Sequence, residues 1–201
     1  VHRLKTVSFH DKIGSIYEKM QRVQKIGDFI GKQLNLSDQV MQTFRRASEI
    51  YKFDLVTGMV GEFPELQGIM GERYALLAGE DPAVATAIRE QYLPTSSEGK
   101  LPADKAGALL ALSDKLDTVL TFFGAKMIPT SSNDPYALRR YTYGIVRILI
   151  DRNWSLDLKE VLPELVKEIN SLTKATLPKG DDLVAVGQFT LDRMKQFLQA
   201  N

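Results

Sequence analysis

Imidazole and thiol chemistry is nearly absent from this chain. Its 201 residues include two histidines, His2 and His10, and no cysteine. The missing thiol removes structural disulfides, thiolate zinc sites, iron–sulfur clusters and cysteine nucleophiles together. A Ser–His–Asp triad would have to draw its base from the first ten residues. His10-Asp11 is a literal His-Asp pair, yet no second histidine stands near it to complete a metal site. Gly27-Asp28-Phe29-Ile30-Gly31-Lys32 lacks the second half of a P-loop and sits inside a helical pattern rather than after a strand. Its glycines read as points of close helix approach.

What remains is carboxylate and guanidinium. Arg140 and Arg147 are seven residues apart, two turns along one face of a helix, and Arg139 sits beside that face. Guanidinium forks suit phosphate because they give two parallel hydrogen bonds, so these three arginines are the candidate phosphate-contacting residues. The alternative is an ion pair inside the domain, with Asp114 or Asp117 as acceptor. Lys and Arg total 26 against 25 Asp and Glu, a net charge of +1. The distribution is less even: residues 1–33 carry seven basic and three acidic side chains, residues 61–90 two basic and six acidic. Opposed patches permit a polyanion on one face, and ordinary solvated helix faces are the plainer reading.

The elements that must position these groups are helical almost throughout. Apolar residues recur at three- and four-residue steps from Phe9 to Leu34, which predicts one long amphipathic helix. Asn35 suits its C-terminal end, and Ser37 caps a second helix with Val40, Met41, Phe44, Ala47 and Ile50 inward. Helical stretches follow over about 54–63 and 65–78, the second stopped by Gly79. Asp81-Pro82 reads as an N-cap with first-turn proline. Residues 93–103 form a loop, a sixth helix spans about 104–123, and Asp134-Pro135 opens a seventh reaching Ile150. Asn153 and Ser155 mark a joint; beyond it, Pro163 forces a kink or break in 156–172, and the last helix begins at Asp181. Phe122, Phe123 and Trp154 read as core rather than base-stacking residues. No run of about 18 uninterrupted apolar residues appears, so no membrane span is expected. The chain opens at Val1 and stops at Asn201 within a helix-like pattern, which reads as a fragment of something larger. The expected fold is all-α: one helical domain over 1–152, then the beginning of a second helical module over 153–201.

Three long motifs carry a resemblance. They are the run from Lys52 to Gly71 (KFDLVTGMVGEFPELQGIMG), Leu112-Ser113-Asp114-Lys115-Leu116-Asp117-Thr118, and Asp134-Pro135-Tyr136-Ala137-Leu138-Arg139-Arg140. In this order they resemble the central part of the bacterial glycyl-tRNA synthetase beta subunit. The resemblance implies a cytoplasmic enzyme of two alpha and two beta subunits. Its alpha subunit activates glycine with ATP and magnesium, and its beta subunit handles tRNA(Gly), with no membrane and no DNA involved. It also implies an HD-domain-like helical bundle, a fold that elsewhere holds metal through His, a His-Asp pair and a later Asp. Here Asp54 and Asp114 match the two Asp positions, Phe53 stands where the paired His would be, and Lys19 or a close neighbour falls at the first His position. Phe cannot ligate a metal, and an ammonium repels one. The resemblance therefore implies a retained fold with hydrolase chemistry lost: no catalytic residue, no metal and no cofactor in this stretch, and Asp54 and Asp114 capping helices or pairing with lysine. Gly58, Gly61, Gly68 and Gly71 would allow tight helix contact around Phe63 and Leu66, while Glu62, Glu65 and Gln67 line the old site or face solvent. The competing readings are an active HD-type metal phosphohydrolase and a scaffold that contacts protein alone.

Overall fold

Helix α1 (Ile16–Gln33) starts where Ser15 takes up the first free backbone donors: its hydroxyl accepts from the Glu18 N–H at 3.1 Å. It stops where Asn35 turns left-handed, φ 53°. There the Leu36 and Asn35 N–H groups return to the carbonyls of Gly31 and Lys32, at 3.0 and 3.2 Å. The computed structural model describes residues 2–10 and 13–201. Ahead of α1 lies a short 3-10 turn, His2–Lys5, and an antiparallel ribbon of β1 (Ser8–His10) and β2 (Gly14–Ser15). The helix expected from Phe9 therefore begins seven residues later. Gly14 at φ 100° is outside helical space, and Ser15 is committed as a cap. The His10-Asp11 pair lies outside the described residues, because Asp11 does.

Helix α2 (Asp38–Ile50) is capped by Ser37, whose Oγ accepts from Val40. It crosses α1 at the two glycines singled out by spacing. A Cβ on Gly27 would stand 1.9 Å from Phe44 Cζ, and one on Gly31 2.3 Å from Met41 Sδ. The stretch after α2 is more broken than its periodicity suggested. It comprises a 3-10 turn at Phe53–Val56, α3 (Gly58–Glu62), a second 3-10 turn at Pro64–Leu66, and α4 (Ile69–Leu77). The tight contact expected around Phe63 is absent: Gly58 and Gly61 face open space and Phe63 is 46% exposed. Gly68 and Gly71 are the close-packed pair, against Tyr92 and against Ile88 with Asp54. Helix α5 (Pro82–Glu90) follows its Asp81 cap, which accepts from Ala83 at 2.8 Å.

Helix α6 (Lys105–Gly124) is the axis of the fold. Every residue from Ala106 to Gly124 is buried, so it has no solvent face. Helices α1, α2, α5 and α7 surround it, with α9 against its far end. Phe122 and Phe123 are core residues, 5% and 1% exposed, and Trp154 packs against the core. Helix α7 (Leu138–Asp151) begins three residues after the expected proline, because Ala137 is left-handed at φ 56°. Asp134 still caps it, accepting from the Leu138 and Arg139 N–H groups at 2.8 and 2.9 Å. Helix α8 (Leu158–Ile169) runs through Pro163 without splitting in two. Helix α9 (Asp181–Ala200) closes the chain. Val161, Leu162, Leu165, Ile169, Leu177 and Val186 join the same core as the residues before Asn153. The fold is all-α, and no helix among the described residues is long and apolar enough to cross a membrane.

The two α1 glycines should respond differently to alanine. At Gly27 the obstacle is the rigid Phe44 ring, so Gly27→Ala should destabilise by about 1–3 kcal/mol in urea unfolding. At Gly31 the obstacle is the flexible thioether of Met41, and Gly31→Ala should cost clearly less.

Candidate functional site

A helix without a solvent face must satisfy its polar groups internally. Helix α6 carries two carboxylates one turn apart, Asp114 and Asp117, and α1 faces them with two cations one turn apart, Lys19 and Arg22. Lys19 Nζ donates to Asp117 Oδ2 at 2.9 Å, to Thr118 Oγ1 at 2.9 Å and to the Asp114 carbonyl at 3.3 Å. Asp114 Oδ1 lies 3.7 Å from the same ammonium. Arg22 forks onto Asp117, Nε to Oδ1 at 2.6 Å and Nη2 to Oδ2 at 3.2 Å, and gives Nη1 to Thr173 Oγ1 at 3.1 Å. Arg22 and Asp117 are fully buried. Burial alone would lower the Arg22 pKa, but the bonded Asp117 carboxylate outweighs it and the net direction is upward.

The end of α2 closes the other side. Tyr51 donates its hydroxyl to Asp114 Oδ2 at 2.6 Å, and Lys52 Nζ stands 4.0 Å from the same oxygen and 4.1 Å from the Tyr92 ring centroid. Burial works to raise the Asp114 carboxyl, yet Lys19, Lys52 and the Tyr51 hydroxyl hold it below the usual carboxylate range. Burial and the Asp114 charge push the Tyr51 phenol well up. Lys115 is buried beside them, donating to the Leu93 carbonyl at 2.9 Å, with its stem laid over Gly144 of α7. Four buried cations thus share a space with two carboxylates. Burial, reinforced by Lys52 and Lys19 and opposed by Asp114, brings the Lys115 pKa down to about 8.

Of the four positions singled out in the sequence, Lys19 and Asp114 meet. Asp54 is used elsewhere: its Oδ2 accepts the Gly68 and Gly71 N–H groups at 2.7 and 3.0 Å and so caps α4. Burial raises its pKa despite those bonds. Phe53 packs toward Tyr74, ring centroids 6.3 Å apart. Among the described residues no group of three or more His, Asp or Glu side chains is placed to hold a metal ion. The residues do not fit the metal of an HD fold: one ligand position is an ammonium bonded to the acidic pair, another is a hydrocarbon ring, and one carboxylate is spent on backbone donors. Glu62 and Glu65 are exposed, and Gln67 accepts from the Tyr92 hydroxyl at 3.1 Å.

The three arginines of α7 line one cleft of about 1060 Å³ between α7, α9 and the loop at 95–98. Two of them already have acceptors. Arg139 donates to the Thr130 carbonyl and lies 3.9 Å from Asp134; Arg147 donates to the Gly99 and Ser96 carbonyls at 2.8 and 3.3 Å. Asp114 and Asp117, the acceptors considered from the sequence, are occupied by Lys19, Arg22 and Tyr51 instead. Arg140 is exposed. Arg22, Tyr51, Lys52 and Lys115 complete the interior site without having been singled out as site residues. The available signal was on α1, where Lys19 and Arg22 interrupt the buried stripe of Ile16, Met20, Val23 and Ile26.

Two measurements probe this interior. Asp117→Asn strands two buried cations, so it should destabilise by about 3–5 kcal/mol. The unfolded chain holds the Lys115 proton up to about pH 10.5, whereas the folded chain releases it near 8. The unfolded state then binds more protons between these values, so this group makes stability rise with pH from about 8 toward 10. Urea melts at pH 7.5 to 9.5 should show that rise in the parent chain and lose most of it in Lys115→Met.

The family model described as glycyl-tRNA synthetase beta subunit matches residues 1–201. The glycine–tRNA ligase beta subunit of Lactobacillus acidophilus is 61% identical over all of this chain, which covers 29% of that relative. That of Lactobacillus helveticus is 60% identical over the same span and share. That of Limosilactobacillus reuteri is 57% identical over 98% of the chain and 28% of its own length. The chain therefore spans under a third of the length of these relatives. A match that runs from the first residue to the last places this chain in the glycyl-tRNA synthetase beta subunit family.

Proposed function

We propose that this chain is a non-catalytic helical module of a glycine–tRNA ligase, which helps bind tRNA(Gly) and hold neighbouring domains in place. Glycine activation with ATP and magnesium belongs, on this reading, to the alpha subunit of a cytoplasmic assembly of two alpha and two beta subunits. The observation that carries it is the filled interior. At the positions where the resemblance sets metal ligands, Lys19 and Asp114 form part of a closed ion-pair network, Asp54 caps a helix and Phe53 is apolar. That residue set supports a retained fold used for positioning and gives an active phosphohydrolase no metal ligand set. Residues 153–201 are, in the same proposal, the opening helices of a second module whose first elements dock back on residues 1–152.

On this reading the α7 arginines have unequal roles. Arg140, the exposed one, meets an RNA phosphate directly. Arg139 and Arg147 are oriented by the carbonyls and carboxylate they hold. Those internal partners are also what favours the second reading, a scaffold contacting protein alone. Salt-dependent tRNA binding by the full synthetase separates the two. Arg140→Ala should weaken tRNA binding and lower the salt slope by roughly 0.7–0.9 with no change in melting temperature. Arg147→Ala should lower the melting temperature, because it releases the loop at 96–99. Unchanged affinity and slope in Arg140→Ala would leave the scaffold reading in its place.

A further inference from the structure

The cleft between α7 and α9 contains a fourth arginine that the sequence motifs do not include. Arg193 of α9 lies with its guanidinium 4.8 Å from the Phe189 ring centroid, and Arg139 approaches the same ring at 5.9 Å. Phe189 is fixed in turn by an edge contact with Phe123 of α6, centroids 5.4 Å apart. Two cations are thus held near one ring, each close enough to feel the other. Nε and Nη1 of Arg193 are shielded from water and have no hydrogen-bond partner among the described residues. Unpaired donors of a charged group are costly to bury, and the nearby acids attract the guanidinium without hydrogen-bonding these two atoms. Asp192 accepts from Gln188 at 2.8 Å, and Asp134 is engaged with the start of α7. Across the whole cleft four arginines face two carboxylates, Glu98 and Asp151, of which Asp151 is paired with Arg152.

We propose that Arg193 and Arg139, stacked about Phe189, form a phosphate-binding subsite for the RNA backbone, with Arg140 at its exposed rim. The proposal rests on the tRNA-handling reading. A phosphate oxyanion is the ligand this arrangement lacks. It neutralises two like charges at once, and its oxygens match the fork that Arg193 leaves unpaired. Arg193 lines the cleft, so a turn of its side chain brings those donors onto a bound oxygen. The shared ring keeps the two guanidinium groups near one another before a ligand arrives, so the Arg193 side chain is the part that has to turn on binding.

The test uses the full-length synthetase with its companion subunit. First, tRNA binding is titrated from low to moderate salt for the parent, Arg193→Gln and Arg193→Lys. Arg193→Gln should lose affinity several-fold and lower the salt slope by about 0.7–0.9, with the melting temperature unchanged or raised. Arg193→Lys should recover the slope but only part of the affinity. Second, phenylglyoxal modification of the parent enzyme is mapped by mass spectrometry, a readout that needs no variant to fold. tRNA should protect Arg193 and Arg139, and inorganic phosphate at the same concentration should not. Unaltered slope with parental affinity, or absence of protection by tRNA, overturns the subsite while the tRNA-handling reading stands. Equal protection by inorganic phosphate shows a small-anion site and overturns the RNA assignment. A parent enzyme whose tRNA binding ignores both salt and residues 1–201 would remove the underlying reading instead.

Discussion

Asp117 is the residue on which the rest of the structure depends. It sits on a helix with no exposed side, so its charge has to be answered by neighbouring helices rather than by water. Helix α1 supplies the answer twice, through the Lys19 ammonium and the Arg22 fork. That requirement fixes the rotation of α1 about its own axis and its height along α6. Once α1 is placed, Gly27 and Gly31 set where α2 crosses, and the end of α2 delivers Tyr51 and Lys52 to Asp114. Arg22 reaches one step further, to Thr173, and ties the segment after α8 to the same carboxylate. Such a network contributes little net stability compared with a hydrocarbon core of equal volume, but it is severe about register, since any slip strands a buried charge.

This division of labour explains why the chain carries charged residues in two very different states. Inside, cations outnumber carboxylates and every one is pinned. Outside, the α7 and α9 arginines share a cleft with few carboxylates, and one of them has donors to spare. The interior charges are therefore engaged within the fold, and the guanidinium donors without a partner lie in the cleft. Phe123 and Phe189 connect the two, since the ring that carries Arg139 and Arg193 rests edge-on against the end of α6.

Much of the fold was legible because capping chemistry is local. Ser37, Asp81-Pro82 and Asn35 mark helix ends wherever they are placed, whereas the complete burial of residues 106–124 was not legible, because Asp114, Lys115 and Asp117 interrupt its apolar run. The two misplaced helix starts share one cause, a backbone conformation that side-chain periodicity does not record. Ile13 keeps the helical spacing of α1 and is fully buried, yet it reaches the core from a ribbon because Gly14 turns at positive φ. Ala137 delays α7 in the same way. The interior site was half legible: Lys19 and Asp114 stand at positions the resemblance marks, whereas Lys52 and Lys115 lie inside the motifs without a role read for them, and Arg22 lies outside them; all three became site residues through packing of elements distant in sequence. Arg193 had no local signal at all, because what distinguishes it is two donors left without a hydrogen-bond partner.

The Lys19 ammonium has a consequence that follows from its covalent attachment. A free ion held by Asp114 and Asp117 would stabilise the fold only in proportion to its occupancy, and its contribution would fall as the ion was diluted. A cation carried on α1 has no dissociation constant to satisfy. It arrives with the helix, at an effective concentration set by the fold itself, and leaves only when α1 leaves. The Lys19 pairing at the centre of the fold consequently does not vary with the supply of free cations around it.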